Sequence, residues 1–166
     1  MKKDKGLRVY QVATWVAIIL LVFMIILLAF VIIEDAVKTR EIRQIEHQEA
    51  DSLSFRDELL TLIFELRLEH PDIVFAQAVL ETGNFKSEIF KENKNLFGLK
   101  MPWNRPTLAI GVKRGHAVFS DWKHSVYDYA LYQSSYMRKL TREAYLERLK
   151  SYAADPSYVE KIKNLL

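Results

Sequence analysis

Apolar positions follow two different patterns along this chain. From Val12 to Ile33 every residue except Thr14 is apolar and none is charged. A helix over those positions is roughly 33 Å long, enough to cross a hydrocarbon core of about 30 Å. A cleaved signal would have a shorter apolar region ending in small residues, whereas here the run closes on Ile32, Ile33, Glu34 and Asp35. The spacing predicts a retained anchor at 12–33, after a short N-terminal segment at 1–11. From Glu34 to Asp51 charges dominate and only Val37, Ile42 and Ile45 break the polarity, which predicts a solvated helical stalk at 34–51.

Beyond residue 52 the apolar positions recur at helical spacing and predict a packed domain over 52–166. Ser54 and Asp57 have the spacing of a capping box ahead of Leu59, Leu60, Leu62, Ile63 and Leu66. His70-Pro71 breaks that helix, and Pro71 suits the first position of the next. The stretch Asp72 to Glu81 is apolar nearly all round, the pattern of a central buried helix, and Thr82-Gly83 ends it. A short helix is expected after Ser87. Leu108–Val112 and His116–Phe119 are β-prone runs around a turn at Lys113-Arg114-Gly115, giving a small hairpin. Three helices follow, with caps expected at Ser125, at Thr141 and at Asp155-Pro156. The fold class is therefore mainly α, about six helices with one β-hairpin, behind a single N-terminal transmembrane helix.

Charge and composition then narrow the chemistry. The formal net charge is +3 on 166 residues, with no basic stripe, so nucleic acid is not an expected partner. There is no cysteine, hence no disulfide framework and no thiolate metal site. No glycine-rich phosphate loop is present, His70, His116 and His124 lack metal-ligand spacing, and no cofactor or metal is expected. Lys2, Lys3, Lys5 and Arg8 precede the apolar run while Lys38, Arg40 and Arg43 follow it, a slight bias toward a cytoplasmic N-terminus.

Glu81 is the most informative single residue. It stands at the end of an apolar helix, where poor hydration and the helix's C-terminal carbonyls both favour a protonated carboxyl. A neutral carboxylic acid is what glycosidic cleavage requires, because the departing oxygen must receive a proton. A helix-end glutamate that simply reaches solvent is the bland alternative.

The neighbouring residues add a resemblance. The stretch from Phe75 through Gln77, Glu81, Thr82 and Gly83 to Ser87, then Asn95-Leu96-Phe97-Gly98-Leu99-Lys100, resembles the glucosaminidase family of peptidoglycan hydrolases, which have a lysozyme-like fold. Ser151-Tyr152-Ala153-Ala154-Asp155-Pro156-Ser157-Tyr158 is similar to that family's closing segment. The resemblance covers about residues 54 to 166. It implies Glu81 as proton donor, Ser87 and Asn95 as supports of the loop after the helix, Phe97 and Gly98 as cleft floor, and Tyr152 and Tyr158 beside the cleft. Each has a structural alternative: Ser87 as a helix cap, Phe97 as core, the tyrosines as packed aromatics. Trp103 and Trp122 bracket the hairpin, and Trp103 is a candidate for stacking on a sugar face.

Many members of the family that it resembles carry a second glutamate within or next to the hairpin. Leu99 to Ser120 contains no acidic residue, and Asp121 is the first beyond it. Either Asp121 substitutes, or the substrate's own N-acetyl group assists, or the site is weakened. The resemblance implies an inner-membrane, single-pass bacterial enzyme whose domain faces the periplasmic side and whose partner is the peptidoglycan glycan strand. An N-acetylglucosaminidase is favoured over a muramidase or lytic transglycosylase. The rival is a glycan-binding or assembly module with envelope-machine partners.

Overall fold

The computed structural model describes residues 3–166, with side chains from Thr14 onward. The expected segment 1–11 and its basic side chains lie outside the described side chains. The chain divides into two compact units, Met1–Leu53 and Ser54–Leu166.

The first unit is a single helical stretch. Helix α1 spans Lys3–Glu65, and every described side chain from Thr14 to Ala50 is exposed. Its apolar part reaches a mean hydropathy of 3.7, long and apolar enough to cross a membrane by length and composition. Ser54 does not cap a new helix, because α1 passes through it. No proline or glycine lies between Glu34 and Glu65, so nothing stops helical propagation there.

The second unit holds the remaining elements: α2 (Pro71–Glu81), α3 (Glu88–Asn93), β1 (Gly111–Lys113), β2 (His116–Val118), α4 (Trp122–Tyr136), α5 (Arg142–Leu149) and α6 (Tyr158–Lys163). α1 ends in a two-bond C-terminal cap, Leu68 N–H to Ile63 O and Arg67 N–H to Phe64 O, with Arg67 in the left-handed region. Pro71 opens α2 as expected. Gly83 closes it at φ +53°, with its N–H on Leu80 O and Asn84 N–H on Val79 O.

α2 is the central element. Ile73, Val74, Ala76, Gln77 and Ala78 are all buried. Val74 and Ala78 join a cluster with Leu59, Ile63, Leu96, Phe97, Val126 and Tyr129. Ile73 and Ala76 face a second cluster with Met137, Tyr145, Leu149, Tyr158 and Ile162. A helix with apolar packing on two sides has to be apolar on two sides, which is why the sequence shows no polar stripe there.

The hairpin pairs Gly111 with Val118 and Lys113 with His116, so its turn is the two residues Arg114 and Gly115, at φ +54° and +74°. That geometry matches the right-handed twist of the strands. The expected strand from Leu108 is shortened to Gly111, although Ile110 N–H still reaches Val118 O. Two caps differ from expectation. α4 is capped by Asp121, whose carboxylate accepts from Lys123 N–H; Ser125 is buried in the first turn, donating to Trp122 O and accepting from Leu96 N–H. α6 starts at Tyr158, two residues late, because Asp155 and Pro156 form a turn held by Asp155 Oδ1 on the Ser157 N–H and hydroxyl. Thr141 caps α5 as its sequence predicts.

Candidate active site

Glu81 is the last residue of α2 and is half-buried. Its surroundings come from three other parts of the unit. Gly98, in the loop after α3, lies under the carboxyl: a Cβ built there would stand 2.9 Å from Glu81 Oε2. Gly98 also has φ +61°, so both its conformation and its lack of a side chain are used. Tyr158, the first residue of α6, accepts Gln77 Nε2 one turn before Glu81 on α2, and its hydroxyl acts on the carboxyl. His116 on β2 is the basic side chain acting on it.

These influences oppose one another. Burial pushes the Glu81 pKa up; the Tyr158 hydrogen bond and the His116 charge pull it down, and the net shift is upward. None of the ion pairs among the described residues involves Glu81. A carboxyl with a raised pKa and no cationic partner in contact is equipped to hold a proton and give it away.

The loop beneath Glu81 is fixed by Asn95. Its Nδ2 donates to Leu99 O and Ala117 O, both at 2.9 Å, and its Oδ1 accepts from the N–H groups of Phe97 and Leu99. All of its polar capacity is spent on backbone, so it shapes the floor. Phe97 is fully buried and stacks on Tyr129 at 4.2 Å, while its carbonyl accepts the Tyr152 hydroxyl at 2.6 Å. Tyr152 in turn stacks on Tyr158 at 5.9 Å. Ser87 accepts from Phe90 N–H as the N-cap of α3. Thr82 ties the segment between them by accepting from Phe85 N–H.

The structure therefore brings Glu81, Gly98 and Tyr158 together, with Asn95, Phe97 and Tyr152 supporting them from below and His116 acting on the carboxyl electrostatically. Trp103 is 93% exposed, on a loop held by its neighbours: Asn104 accepts the Tyr136 hydroxyl, and Arg105 pairs with Asp128 at 2.7 Å. Trp122 packs edge-on against Phe55. Asp121 is exposed, and its carboxylate is the cap of α4 and acts on Lys123. Sequence reasoning missed the electrostatic influence of His116 on the carboxyl and Gln77 as a supporter of Tyr158. Gln77 was signalled, since it lies four residues before Glu81 and so on the same face of α2.

The family model for mannosyl-glycoprotein endo-beta-N-acetylglucosaminidase, the glucosaminidase domain, matches residues 66–166. The chain belongs to the glucosaminidase family. The catalytic domain of the autolysin Auto from Listeria monocytogenes is similar in structure, with a TM-score of 0.49 and 25% identity over 69% of this chain and 81% of that one. No curated protein matches the chain. The glucosaminidase match begins within the last turns before α2, so it contains Glu81 and every neighbour described above.

Proposed function

We propose that this glucosaminidase-family protein cleaves the glycan strands of peptidoglycan, with Glu81 as the proton donor. The observation that carries this reading is the Glu81 carboxyl itself: half-buried over Gly98, in no ion pair among the described residues, and shifted toward its neutral form by burial. In the proposed step its proton moves to the bridging oxygen as the C1–O bond breaks, and the bonding pair stays on that oxygen. C1 then takes oxygen from water, and the water's proton restores Glu81.

With Asp121 engaged as a helix cap, the second catalytic group is sought on the substrate. Its N-acetyl oxygen can close on C1 as the bond breaks, and water opens the ring so formed. That favours cleavage after N-acetylglucosamine. Trp103 offers an indole face for a neighbouring sugar. The apolar stretch 12–33 is read as an inner-membrane anchor that places the domain on the periplasmic side, where the wall is.

The alternative, a domain that holds glycan without cutting it, is favoured by the absence of acidic residues from Leu99 to Ser120. A peptidoglycan zymogram of the full chain separates the two, and mass spectrometry of the released muropeptides identifies the bond. We expect lysis by the native chain and none by Glu81→Gln. Lysis retained in Glu81→Gln rules out the proton donor; no lysis by the native chain favours the binding module.

A further inference from the structure

We propose that a one-way chain of hydrogen bonds, fixed at its far end by the backbone of Glu69, commits the Tyr158 proton to Glu81 and makes Gln77 and Tyr129 positioning residues for the acid. The proposal rests on Glu81 being the proton donor.

The chain starts where no flip is allowed. Glu69 N–H donates to Gln133 Oε1 at 2.7 Å, and Glu69 O accepts from Gln133 Nε2 at 3.0 Å. A backbone N–H can only donate and a carbonyl can only accept, so the Gln133 amide has one orientation. Its Nε2 also donates to the Tyr145 hydroxyl at 3.0 Å. Tyr145 must then place its own proton on the Tyr129 oxygen, 2.8 Å away. With its oxygen so occupied, Tyr129 donates to Gln77 Oε1 at 2.5 Å. The Gln77 amide is thereby oriented, and its Nε2 donates to the Tyr158 oxygen at 3.2 Å. Tyr158 has one proton left to give, and Glu81, one turn beyond Gln77 on the same face of α2, is the acceptor we assign to it.

Reversal at any link has a cost that burial enforces. Gln77, Tyr129 and Tyr145 are fully buried, and Gln133 and Tyr158 nearly so. If the Gln77 amide turned over, its Nε2 would face a Tyr129 oxygen already receiving the Tyr145 proton, and the Tyr129 hydrogen would be left without an acceptor. An unsatisfied donor inside a core is what such networks avoid.

For the acid, direction matters more than the bond itself. A tyrosine free to rotate could accept the carboxyl's proton and hold it away from the substrate. A tyrosine obliged to donate occupies one carboxyl oxygen as an acceptor, so the exchangeable proton resides on the other. Tyr158 remains a neutral donor because burial and the nearby Glu81 charge push its own pKa far upward. Five buried side chains thus determine which carboxyl oxygen is the acid.

The test uses the full chain in detergent micelles, with glutamate carboxyls labelled for carbon NMR and the Glu81 resonance assigned by its loss in Glu81→Gln. Tyr129→Phe and Gln77→Met both remove direction without touching substrate. In each, the Glu81 midpoint should move up, because a bond favouring the charged form is weakened, and the basic limb of the kcat profile should follow. We expect kcat to fall roughly tenfold with KM unchanged. Tyr158→Phe should shift the midpoint further, and adding Tyr129→Phe to it should change nothing more. The groups acting on Glu81 are Tyr158 from α6, His116 from β2 and the neutral Tyr152, so the titration is repeated in His116→Gln, where the shift must persist.

An unmoved midpoint in a folded Tyr129→Phe or Gln77→Met protein overturns the relay. If the midpoint moves while Glu81→Gln still cleaves wall, the relay stands and the proton-donor assignment fails, so the two outcomes are distinct.

Discussion

Glu81 closes α2 and Asp121 opens α4, so the two carboxylates that the sequence offers as catalytic candidates sit at opposite poles of their helices. At the end of α2 the backbone presents carbonyls; at the start of α4 it presents N–H groups. Asp121 is exposed, accepts from Lys123 N–H at 2.7 Å and has a lysine beside it. Glu81 is half-buried at a carbonyl-rich end, with a pKa raised by burial. One carboxylate is spent on holding a helix end, while the other, free of that duty, is the one proposed to exchange a proton. Residue type says nothing about this division; the helix pole and the degree of burial decide it.

The largest effect that would sharpen the contrast comes from below Glu81. Gly98→Ala would put a methyl 2.9 Å from Oε2 and force a left-handed alanine at φ +61°. The obstructed atom ends a flexible side chain, so the glutamate can swing aside, and the fold should lose only about 1–2 kcal/mol. Catalysis should suffer far more, since a displacement of about 1 Å in an acid can cost roughly a hundredfold. Turnover on purified peptidoglycan, read beside thermal unfolding, tests this. A variant that unfolds earlier yet turns over normally would show that the carboxyl's position over Gly98 is unimportant.

How much of this was legible in the sequence varies with the range of the interaction. Helix ends governed by local chemistry were readable: Pro71, Gly83 and Thr141 stand where their residue types predict. So was the all-apolar character of α2, a direct consequence of its two packed sides. Ser125 was misread because a serine one turn into a helix resembles a cap. The exposed Asp121, a turn earlier, competes better for the free N–H groups, and the Ser125 oxygen instead serves Leu96, a partner distant in sequence. The hydrogen-bond relay was invisible for the same reason. Glu69, Gln77, Tyr129, Gln133, Tyr145 and Tyr158 come from four different elements and the loop before α2, and apart from Tyr129 and Gln133, one turn apart on α4, no periodicity links them.

A smaller change tests the other pole. Asp121→Ala removes the cap of α4 and should cost about 1 kcal/mol of stability, visible as an earlier urea midpoint. Since the carboxylate is read as structural, specific activity at a temperature where the variant is folded should stay near native. A loss of several decades in a folded Asp121→Ala protein would instead make Asp121 the missing second catalytic group.

The smallest effect concerns the pH dependence of stability. Glu81 has a higher pKa in the folded chain than unfolded, so its contribution is fully present below the ordinary carboxylate range and is lost as pH rises through the folded value. At neutral pH the native fold therefore holds an ionised group where a neutral one fits better. Glu81→Gln supplies a neutral group of nearly the same shape, which can still accept from the Tyr158 hydroxyl. It should melt slightly above the native chain at pH 7, with the difference closing as pH falls and native Glu81 takes up its proton. Thermal unfolding followed from neutral to acidic pH reads the sign directly. A variant less stable than native at pH 7, with a gap that does not narrow in acid, would mean that ionised Glu81 is held by favourable contacts, and the division of labour between the two helix poles would fail.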